Sequence, residues 1–222
     1  MEINKIYQGD CLEVMKGFPD KSIDMILTDP PYGIDYQSAW RTATLRKDKI
    51  NNDKTPFIQW LKDAYRITKD TGTLMCFCRW DVQEQFRSKI EEAGYIIKSQ
   101  VIWDRMIHGM GDLKGSFAPQ HDIIWFATKG NFKFPDKRPT SIIRSQRVDA
   151  EKLLHPNEKP ISLMKKIILS LTKKEEIILD PMCGGGSTLL AAKELGRKYI
   201  GIEISPEYCK IANERLAQNM LF

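Results

Sequence analysis

Four consecutive residues, Asp29-Pro30-Pro31-Tyr32, combine a carboxylate, a stiff backbone and an aromatic ring directly after an apolar run. The run, residues 23–28, predicts a buried strand that ends where these four residues begin. Two successive prolines fix their own φ angles and keep the residues before them extended, while their carbonyls can still accept hydrogen bonds. The Asp29 carboxylate and the Pro30 carbonyl could accept both protons of an NH2 group on a planar ring, and Tyr32 could stack on that ring. Pro-Pro after a strand also occurs as a simple strand terminator, so this interpretation requires a cofactor site beside it.

A second motif, near the other end of the chain, has the order of a nucleotide-binding unit. Residues 175–180 predict a buried strand, residues 189–195 a helix that stops at a glycine, and residues 198–202 a second strand. The turn after the first strand is rich in glycine and polar residues, with the sequence Pro181-Met182-Cys183-Gly184-Gly185-Gly186-Ser187-Thr188. In Rossmann-like proteins such a turn lets a ligand approach the backbone, and an acid about 20 residues further on binds the ribose hydroxyls. Glu203 stands 23 positions after Asp180 and has that place.

The ligand predicted by this turn carries a ribose and an amino group but no phosphate. A dinucleotide fingerprint would have a third glycine where Leu189 stands. Asp180, at the mouth of the turn, would repel a pyrophosphate and attract an ammonium group. S-adenosylmethionine is a ribonucleoside with an amino-acid tail and has these properties. A nicotinamide oxidoreductase is disfavoured for the same reasons.

Together the two motifs resemble those of the amino-group DNA methyltransferases, which act on adenine N6 or cytosine N4. The catalytic motif precedes the cofactor loop, which is the permuted order of the group called beta. Gly9-Asp10-Cys11-Leu12 resembles the motif that contacts the cofactor's adenine, and His155-Pro156-Asn157-Glu158-Lys159-Pro160 resembles the His-Pro-x-x-Lys-Pro box. The resemblance covers nearly the whole chain except roughly residues 34–55 and 131–154.

The resemblance implies a role for each motif. Catalysis is expected from Asp29, Pro30, Pro31 and Tyr32, acting on a base rotated out of the duplex. The residues expected to bind S-adenosylmethionine are Asp10, Cys11, Asp29, Lys159, Asp180, Met182, Cys183, Gly184, Gly186, Ser187, Thr188 and Glu203. Asp10 also forms, with Glu13, the spacing of a helix capping box, and both roles can hold together. Lys159 could instead be only an exposed charge beside a proline, and no metal is expected.

Two basic segments interrupt the regular pattern of strands and helices. Residues 36–55 contain five Lys or Arg against two Asp, a balance of +3, and residues 129–152 contain seven against three acids, a balance of +4. The first follows the catalytic motif, and the second stands where the group carries its target-recognition segment. The residues expected to contact DNA are Arg41, Arg46, Lys47, Lys133, Lys137, Arg138, Arg144 and Arg147. A solvated charged surface is the alternative, and the shortness of the recognition segment leads us to expect a homodimer.

The remaining pattern predicts the fold class. Strands at residues 72–78, 95–103 and 122–128 alternate with helices at residues 57–67, 81–93, 160–171 and 206–217. This alternation predicts an α/β fold with a mostly parallel sheet and an antiparallel pair of strands at one edge. The resemblance implies that this is the Rossmann-like methyltransferase fold. We expect a single domain over residues 1–222, with a loop at 34–55 and a recognition segment at 130–154 inserted.

Composition describes an ordinary globular protein with a mild excess of positive charge. The chain has 222 residues, a net charge of +5 and a hydrophobic content of 42%, which is compatible with a nucleic-acid partner without requiring one. It lacks a signal-peptide apolar region and any apolar stretch of membrane-spanning length, so we expect a cytoplasmic protein without a membrane partner. Five cysteines without metal-ligand spacing are expected to be buried, reduced thiols.

The leading hypothesis is site-specific methylation of adenine N6 in double-stranded DNA, and the resemblance allows a companion restriction endonuclease as a further partner. Methylation of cytosine N4 is the nearest alternative, but it favours serine before Pro-Pro, where this chain has Asp29. A catalytically silent methyltransferase-fold subunit that only binds DNA is the third hypothesis. The intact Asp29 motif and glycine loop count against it.

Overall fold

The computed structural model describes residues 1–33, 55–109, 113–148 and 158–218. Their strands form one eight-stranded sheet in the order β1-β8-β7-β2-β3-β5-β4-β6. The strands are β1 (Lys5–Gln8), β2 (Ile23–Thr28), β3 (Thr68–Cys78), β4 (Ile96–Asp104), β5 (His121–Thr128), β6 (Ile142–Arg144), β7 (Ile177–Asp180) and β8 (Lys198–Glu203). The helices are α1 (Cys11–Val14), α2 (Leu61–Ile67), α3 (Gln83–Glu92), α4 (Ile161–Leu171), α5 (Ser187–Glu194) and α6 (Pro206–Ala217), with a 3-10 turn at Met15–Gly17.

The sheet is parallel except at β5, which runs antiparallel to both β3 and β4. The predicted α/β fold with a mostly parallel sheet is therefore confirmed, and so is the antiparallel pairing of β4 with β5. The prediction that this pair forms the edge is wrong, because β6 lies outside β4 and runs parallel to it. β6 falls inside the segment predicted as a loop, and its three residues are too few to show a periodic pattern.

An apolar core lies on each face of the sheet, since successive residues of a strand point to opposite faces. On β2, Ile26 belongs to the core covered by α2 and α3, whereas Met25 and Leu27 belong to the core covered by α4 and α5. A sheet that is covered by helices on both faces binds its ligands at the ends of its strands.

Two boundary errors span four residues: β3 begins at Thr68 although a strand was predicted from residue 72, and α2 begins at Leu61 although the apolar spacing predicted a helix from residue 57. The preceding residues are tied to the catalytic motif instead. The Phe57 amide donates to the Pro31 carbonyl at 3.0 Å, and Tyr32 forms a β-bridge with Pro56. Tertiary hydrogen bonds therefore override the helical pattern here. By contrast, α6 has the predicted bounds.

All five cysteines are buried and none forms a disulfide, which confirms that prediction. Among the described residues no helix combines the length and the apolar composition needed to cross a bilayer.

Candidate active site at the carboxyl edge of the sheet

Four neighbouring strands end in the predicted site residues. Asp10 follows β1, Glu203 ends β8, Asp180 ends β7 and Asp29 follows β2, and these strands are adjacent in the order β1-β8-β7-β2. They are mutually parallel, so their carboxyl ends meet at one edge. Motifs up to 193 positions apart, from Asp10 to Glu203, are thus brought together at the edge where open α/β sheets bind ligands.

The Asp29 carboxylate is held by two side chains. One oxygen, Oδ1, accepts a short hydrogen bond from the Tyr32 hydroxyl. The other, Oδ2, lies 2.5 Å from the Lys159 ammonium. Only 19% of the Asp29 side chain and 10% of the Lys159 side chain are exposed, so this ion pair is largely shielded from water. Lys159, predicted from its box to bind the cofactor, therefore contacts the carboxylate that the sequence predicts to be catalytic.

Tyr32 is fixed by packing as well as by its hydroxyl. Its ring meets Phe86 edge-on, with 6.3 Å between ring centroids. Burial, followed by the negative charge of Asp29, raises the pKa of Tyr32 well above its ordinary value. The hydroxyl therefore keeps its proton and donates a hydrogen bond to Asp29. The neighbouring Pro30 carbonyl accepts no hydrogen bond from any residue in the described ranges, which leaves it available to a ligand.

The glycine loop turns sharply between β7 and α5. Gly184 has φ +48° and Gly186 has φ +80°, a left-handed conformation that favours glycine. A Cβ on Gly186 would also lie 2.9 Å from the Cβ of Ala212 on α6. A Cβ on Gly201, on β8, would lie 2.5 Å from Leu189. Gly201 thus allows the close packing of helix on strand that the third glycine of a dinucleotide fingerprint allows.

Glu203 is positioned to receive hydroxyl donors. Its two carboxylate oxygens accept hydrogen bonds from the Gly184 amide at 2.9 Å and the Ser205 amide at 2.8 Å. An ionised carboxylate has about four lone-pair sites, so two remain for a ribose. Burial raises the pKa of Glu203, while its backbone hydrogen bonds act in the opposite direction.

Asp180 is buried at the base of the loop. Its Oδ1 accepts a hydrogen bond from the Met182 amide at 3.2 Å. Burial raises the pKa of Asp180 to about 7, although the hydrogen bond from the Met182 amide opposes the shift. A cationic ligand group beside Asp180 would restore the ionised form, as expected for an ammonium partner.

The short helix after β1 begins at Asp10, whose side chain accepts from the Leu12 amide at 2.9 Å. The second half of the predicted capping box is wrong, because the Glu13 carboxylate pairs with Lys16 instead. Burial raises the pKa of the Cys11 thiol to about 12 and that of the Cys183 thiol well above its ordinary value. Neither thiol is a nucleophile near neutral pH.

One buried ion pair at the site was not predicted from the sequence. Arg215 on α6 lies 2.8 Å from the Glu158 carboxylate, and its guanidinium also donates to the Gly185 carbonyl at 2.7 Å. Glu158 also accepts from the Ser187 hydroxyl at 3.4 Å. Arg215 therefore ties the glycine loop to the residue beside Lys159. Its position on a helix with ordinary spacing gave no signal in the sequence.

The structure separates the residues predicted to contact DNA. Arg144 ends β6 at the carboxyl edge and is exposed, with its Nε 3.5 Å from an Asp104 oxygen, and Arg147 follows close behind. Lys137 and Arg138 are exposed on the way to β6. The other predicted residues in this group, Arg41, Arg46 and Lys47, lie outside the described residues.

Lys133 lies at the amino ends of the parallel strands, opposite the carboxyl edge that carries Asp29. It follows β5, whose last residue, Thr128, pairs with Thr73, and Thr73 in turn pairs with Met25 near the start of β2. Lys133 lines a groove there with Asp24 and with other residues that precede or start strands. The antiparallel direction of β5, which spacing alone could not reveal, carries Lys133 away from Asp29.

Comparison with known proteins agrees with this geometry. Residues 23–214 match the N6/N4 methyltransferase family model, described as DNA methylase. The type II methyltransferase M.HinfI of Haemophilus influenzae is 30% identical, in an alignment that covers 97% of this chain and 69% of M.HinfI. The chain belongs to the N6/N4 DNA methylase family.

Two solved structures resemble this DNA methylase along nearly its whole length. M1.HpyAVI, solved in complex with SAM, is 25% identical with a TM-score of 0.74, covering 95% of this chain and 98% of M1.HpyAVI. PvuII DNA methyltransferase, which is cytosine-N4-specific, is 18% identical with a TM-score of 0.78, covering 100% of this chain and 89% of PvuII methyltransferase. The second likeness, at this identity, concerns the fold.

Proposed function

We propose that this DNA methylase transfers a methyl group from S-adenosylmethionine to the N6 atom of adenine in duplex DNA. The observation that carries the proposal is the Asp29 carboxylate, fixed by Tyr32 and Lys159 at the end of β2, next to the glycine loop that follows β7. An acceptor for an amino group and a loop suited to a nucleoside with an amino-acid tail thus lie side by side.

The cofactor is S-adenosylmethionine, and the residues at the end of β7 and β8 fit it. We assign its ribose hydroxyls to Glu203 and its ammonium group to Asp180. The close approach of the ligand to the backbone is permitted by Gly184 and Gly186. The cofactor supplies an electrophilic methyl group, whose bond to sulfur breaks with the electron pair passing to sulfur.

Asp29 and Pro30 prepare the attacking nitrogen. The amino nitrogen of adenine is a poor nucleophile because its lone pair is delocalised into the ring. When the Asp29 carboxylate and the Pro30 carbonyl accept its two protons, the nitrogen is drawn toward sp3 geometry and its lone pair points at the methyl group. The carboxylate also stabilises the positive charge that develops on nitrogen, and alignment lowers the barrier to in-line displacement. The methylated nitrogen then releases one of its two protons to the Asp29 carboxylate, which passes it to solvent.

The two side chains that hold Asp29 give it a fixed direction before the base arrives. Tyr32 has two functions in this proposal: its ring stacks on the extruded base, and its hydroxyl orients the Asp29 carboxylate. Lys159 is a positioning residue, because its contact is with Asp29. Each Asp29 oxygen retains a lone pair for the incoming amino group.

Methylation of cytosine N4 is the second candidate, because the family model that this chain matches carries both N6 and N4 in its name. The fold of the cytosine-N4-specific PvuII methyltransferase superposes on this chain with a TM-score of 0.78. The same acceptor pair could polarise either amino group. An acid before Pro-Pro supports adenine, because the cytosine-N4 members that the motif resembles favour serine there.

We further propose that the exposed basic residues on and before β6, with those that follow the catalytic motif, contact the DNA backbone. A homodimer would widen the contact made by so short a recognition segment. A companion restriction endonuclease would suit the likeness to the type II methyltransferase M.HinfI.

The variants Asp29→Ala and Asp29→Asn test the proposal. Both should abolish transfer of a tritiated methyl group to plasmid DNA, because the amino group loses its charged acceptor. Calorimetry should show S-adenosylmethionine bound by both variants with near wild-type affinity, because Tyr32 and Lys159 hold the Asp29 carboxylate and we assign it to the base instead of the cofactor. The matched control is Glu84→Gln, an exposed acid on α3. Methyl transfer at the wild-type rate by Asp29→Ala would refute the assignment.

A further inference from the structure

The hairpin that joins β4 to β5 projects from the same edge of the sheet as Asp29. It spans residues 105–120, of which 105–109 and 113–120 are described, and Asp104 and His121 pair at its base. The base is firmly built. The Arg105 amide donates to the Gln120 carbonyl at 3.0 Å, and the Arg105 guanidinium donates to the Pro119 carbonyl at 2.7 Å.

The described part of this hairpin exposes apolar side chains to solvent, which gives an isolated protein no gain in stability. Phe117 is 99% exposed and Leu113 is 73% exposed, and Met106 and Ile107 are each more than half exposed. Burying a phenylalanine ring stabilises a folded protein, so a bare ring on a firmly built hairpin indicates a partner.

The hairpin stands close to the catalytic tyrosine. One strand, β3, separates β2 from β5, so the two strands run about 10 Å apart. Thr28, the last residue of β2, lies level with Trp125, and β5 extends four residues beyond that level to His121 at the base of the hairpin. Asp122, the second residue of β5, lies 3.6 Å from the Arg105 guanidinium. The Asp122 charge is also near enough to help raise the pKa of Tyr32.

DNA is the partner that this position favours. The target DNA strand must pass over the carboxyl edge of the sheet for its base to reach Asp29. Extrusion of that base leaves a gap in the stacked bases of the duplex, about one base-length from Asp29. Residues 105–120 carry two basic residues, Arg105 and Lys114, against one acid, Asp112, a balance of +1 that does not oppose a polyanion. Apolar side chains that insert between bases are an established way of holding distorted DNA.

We propose that Phe117 enters the duplex and occupies the gap left by the target base. This proposal rests on the methylation of an extruded base proposed above. Its role is to stabilise the open duplex rather than to take part in methyl transfer, so Phe117 should matter most where the target base is paired. A mismatched base is cheaper to extrude and should need Phe117 less.

The test compares methyl-transfer rates on two duplex oligonucleotides that carry the target sequence, which is first mapped in plasmid DNA treated with the wild-type protein. In one duplex the target base is paired, and in the other it faces a mismatch. We expect Phe117→Ala to lower the rate about tenfold or more on the paired duplex and less than about threefold on the mismatched one. Phe117→Leu should retain most of the activity.

The matched control is Ile96→Ala, which removes an exposed apolar side chain at the opposite edge of the sheet and should leave both rates unchanged. Equal losses on both duplexes, or no loss on either, would overturn the proposal. Sedimentation velocity gives a further check. If Phe117→Ala dissociates a wild-type dimer and slows both duplexes alike, the hairpin contacts a second copy of the chain. Failure of the proposed function would differ, since the wild-type protein would then methylate neither duplex.

Discussion

Replacing Lys159 by methionine separates two roles that this residue could have. The sequence box assigned Lys159 to cofactor binding, whereas the structure places its ammonium 2.5 Å from the Asp29 carboxylate. Methionine is unbranched like lysine and fills similar space without the charge. Lys159→Met therefore removes one of the two groups that hold Asp29 and leaves the Tyr32 hydroxyl as the other.

The expected loss follows from the burial of the pair. With the two side chains only 10% and 19% exposed, the contact is a charge-assisted hydrogen bond in a poorly solvated place. Such bonds contribute about 1.5–3 kcal/mol. If that stabilisation is realised in the transition state, kcat should fall by roughly 10- to 150-fold.

The assay measures kcat at saturating S-adenosylmethionine by tritium transfer and, in parallel, the cofactor's Kd by calorimetry. We expect kcat to fall while Kd changes less than about threefold. The control is Lys165→Met, which removes another lysine of the α4 region, paired with Glu194. If Lys159→Met weakened cofactor binding and kept the wild-type kcat, Lys159 would be a cofactor residue, and the positioning role would be wrong.

Four further outcomes follow from the geometry. Glu203→Ala should weaken S-adenosylmethionine binding by about 1.5–3 kcal/mol in calorimetry, because the ribose loses charge-assisted acceptors; unchanged affinity would contradict the assignment. Tyr32→Ala should slow methyl transfer severely, and Tyr32→Phe should slow it measurably, since it loses the hydroxyl bond to Asp29 but keeps the ring; a fully active Tyr32→Phe would exclude the orienting role. The pKa of Asp180 is about 7 without a ligand, so below that pH an ammonium ligand must displace a proton from the carboxyl group. The affinity for S-adenosylmethionine should therefore rise with pH up to about 7 and then level off. Asp180→Asn should remove this pH dependence, and a pH profile of affinity equal to that of the wild type would count against the contact. Three exposed arginines are to be neutralised together: Arg138, Arg144 and Arg147. This should weaken DNA binding and flatten its salt dependence by about one unit for each lost phosphate contact. An unchanged salt slope would place recognition elsewhere.

The sequence predicted those parts of the site that depend on local motifs and strand ends. Asp29, Asp180 and Glu203 each end a strand with a strong apolar pattern, and parallel strands bring their carboxyl ends together. The order of these motifs along the chain, together with this edge rule, was enough to place them at one site.

The contacts between side chains far apart in the chain could not be predicted in this way. Lys159 is 130 positions from Asp29, and Arg215 is 57 positions from Glu158, and spacing does not report such pairs. Lys133 was misplaced because the direction of β5 is a property of the assembled sheet. A helix predicted from residue 57 was shortened because the Phe57 amide binds the Pro31 carbonyl.

The identity of the methylated base tests the central claim most directly. Duplex DNA is incubated with the protein and S-adenosylmethionine, digested to nucleosides and analysed by mass spectrometry. The acid before Pro-Pro, Asp29, predicts N6-methyldeoxyadenosine from the wild-type protein, and none is expected from Asp29→Ala. Detection of N4-methyldeoxycytidine in its place, or of no methylated nucleoside, would contradict the proposed function.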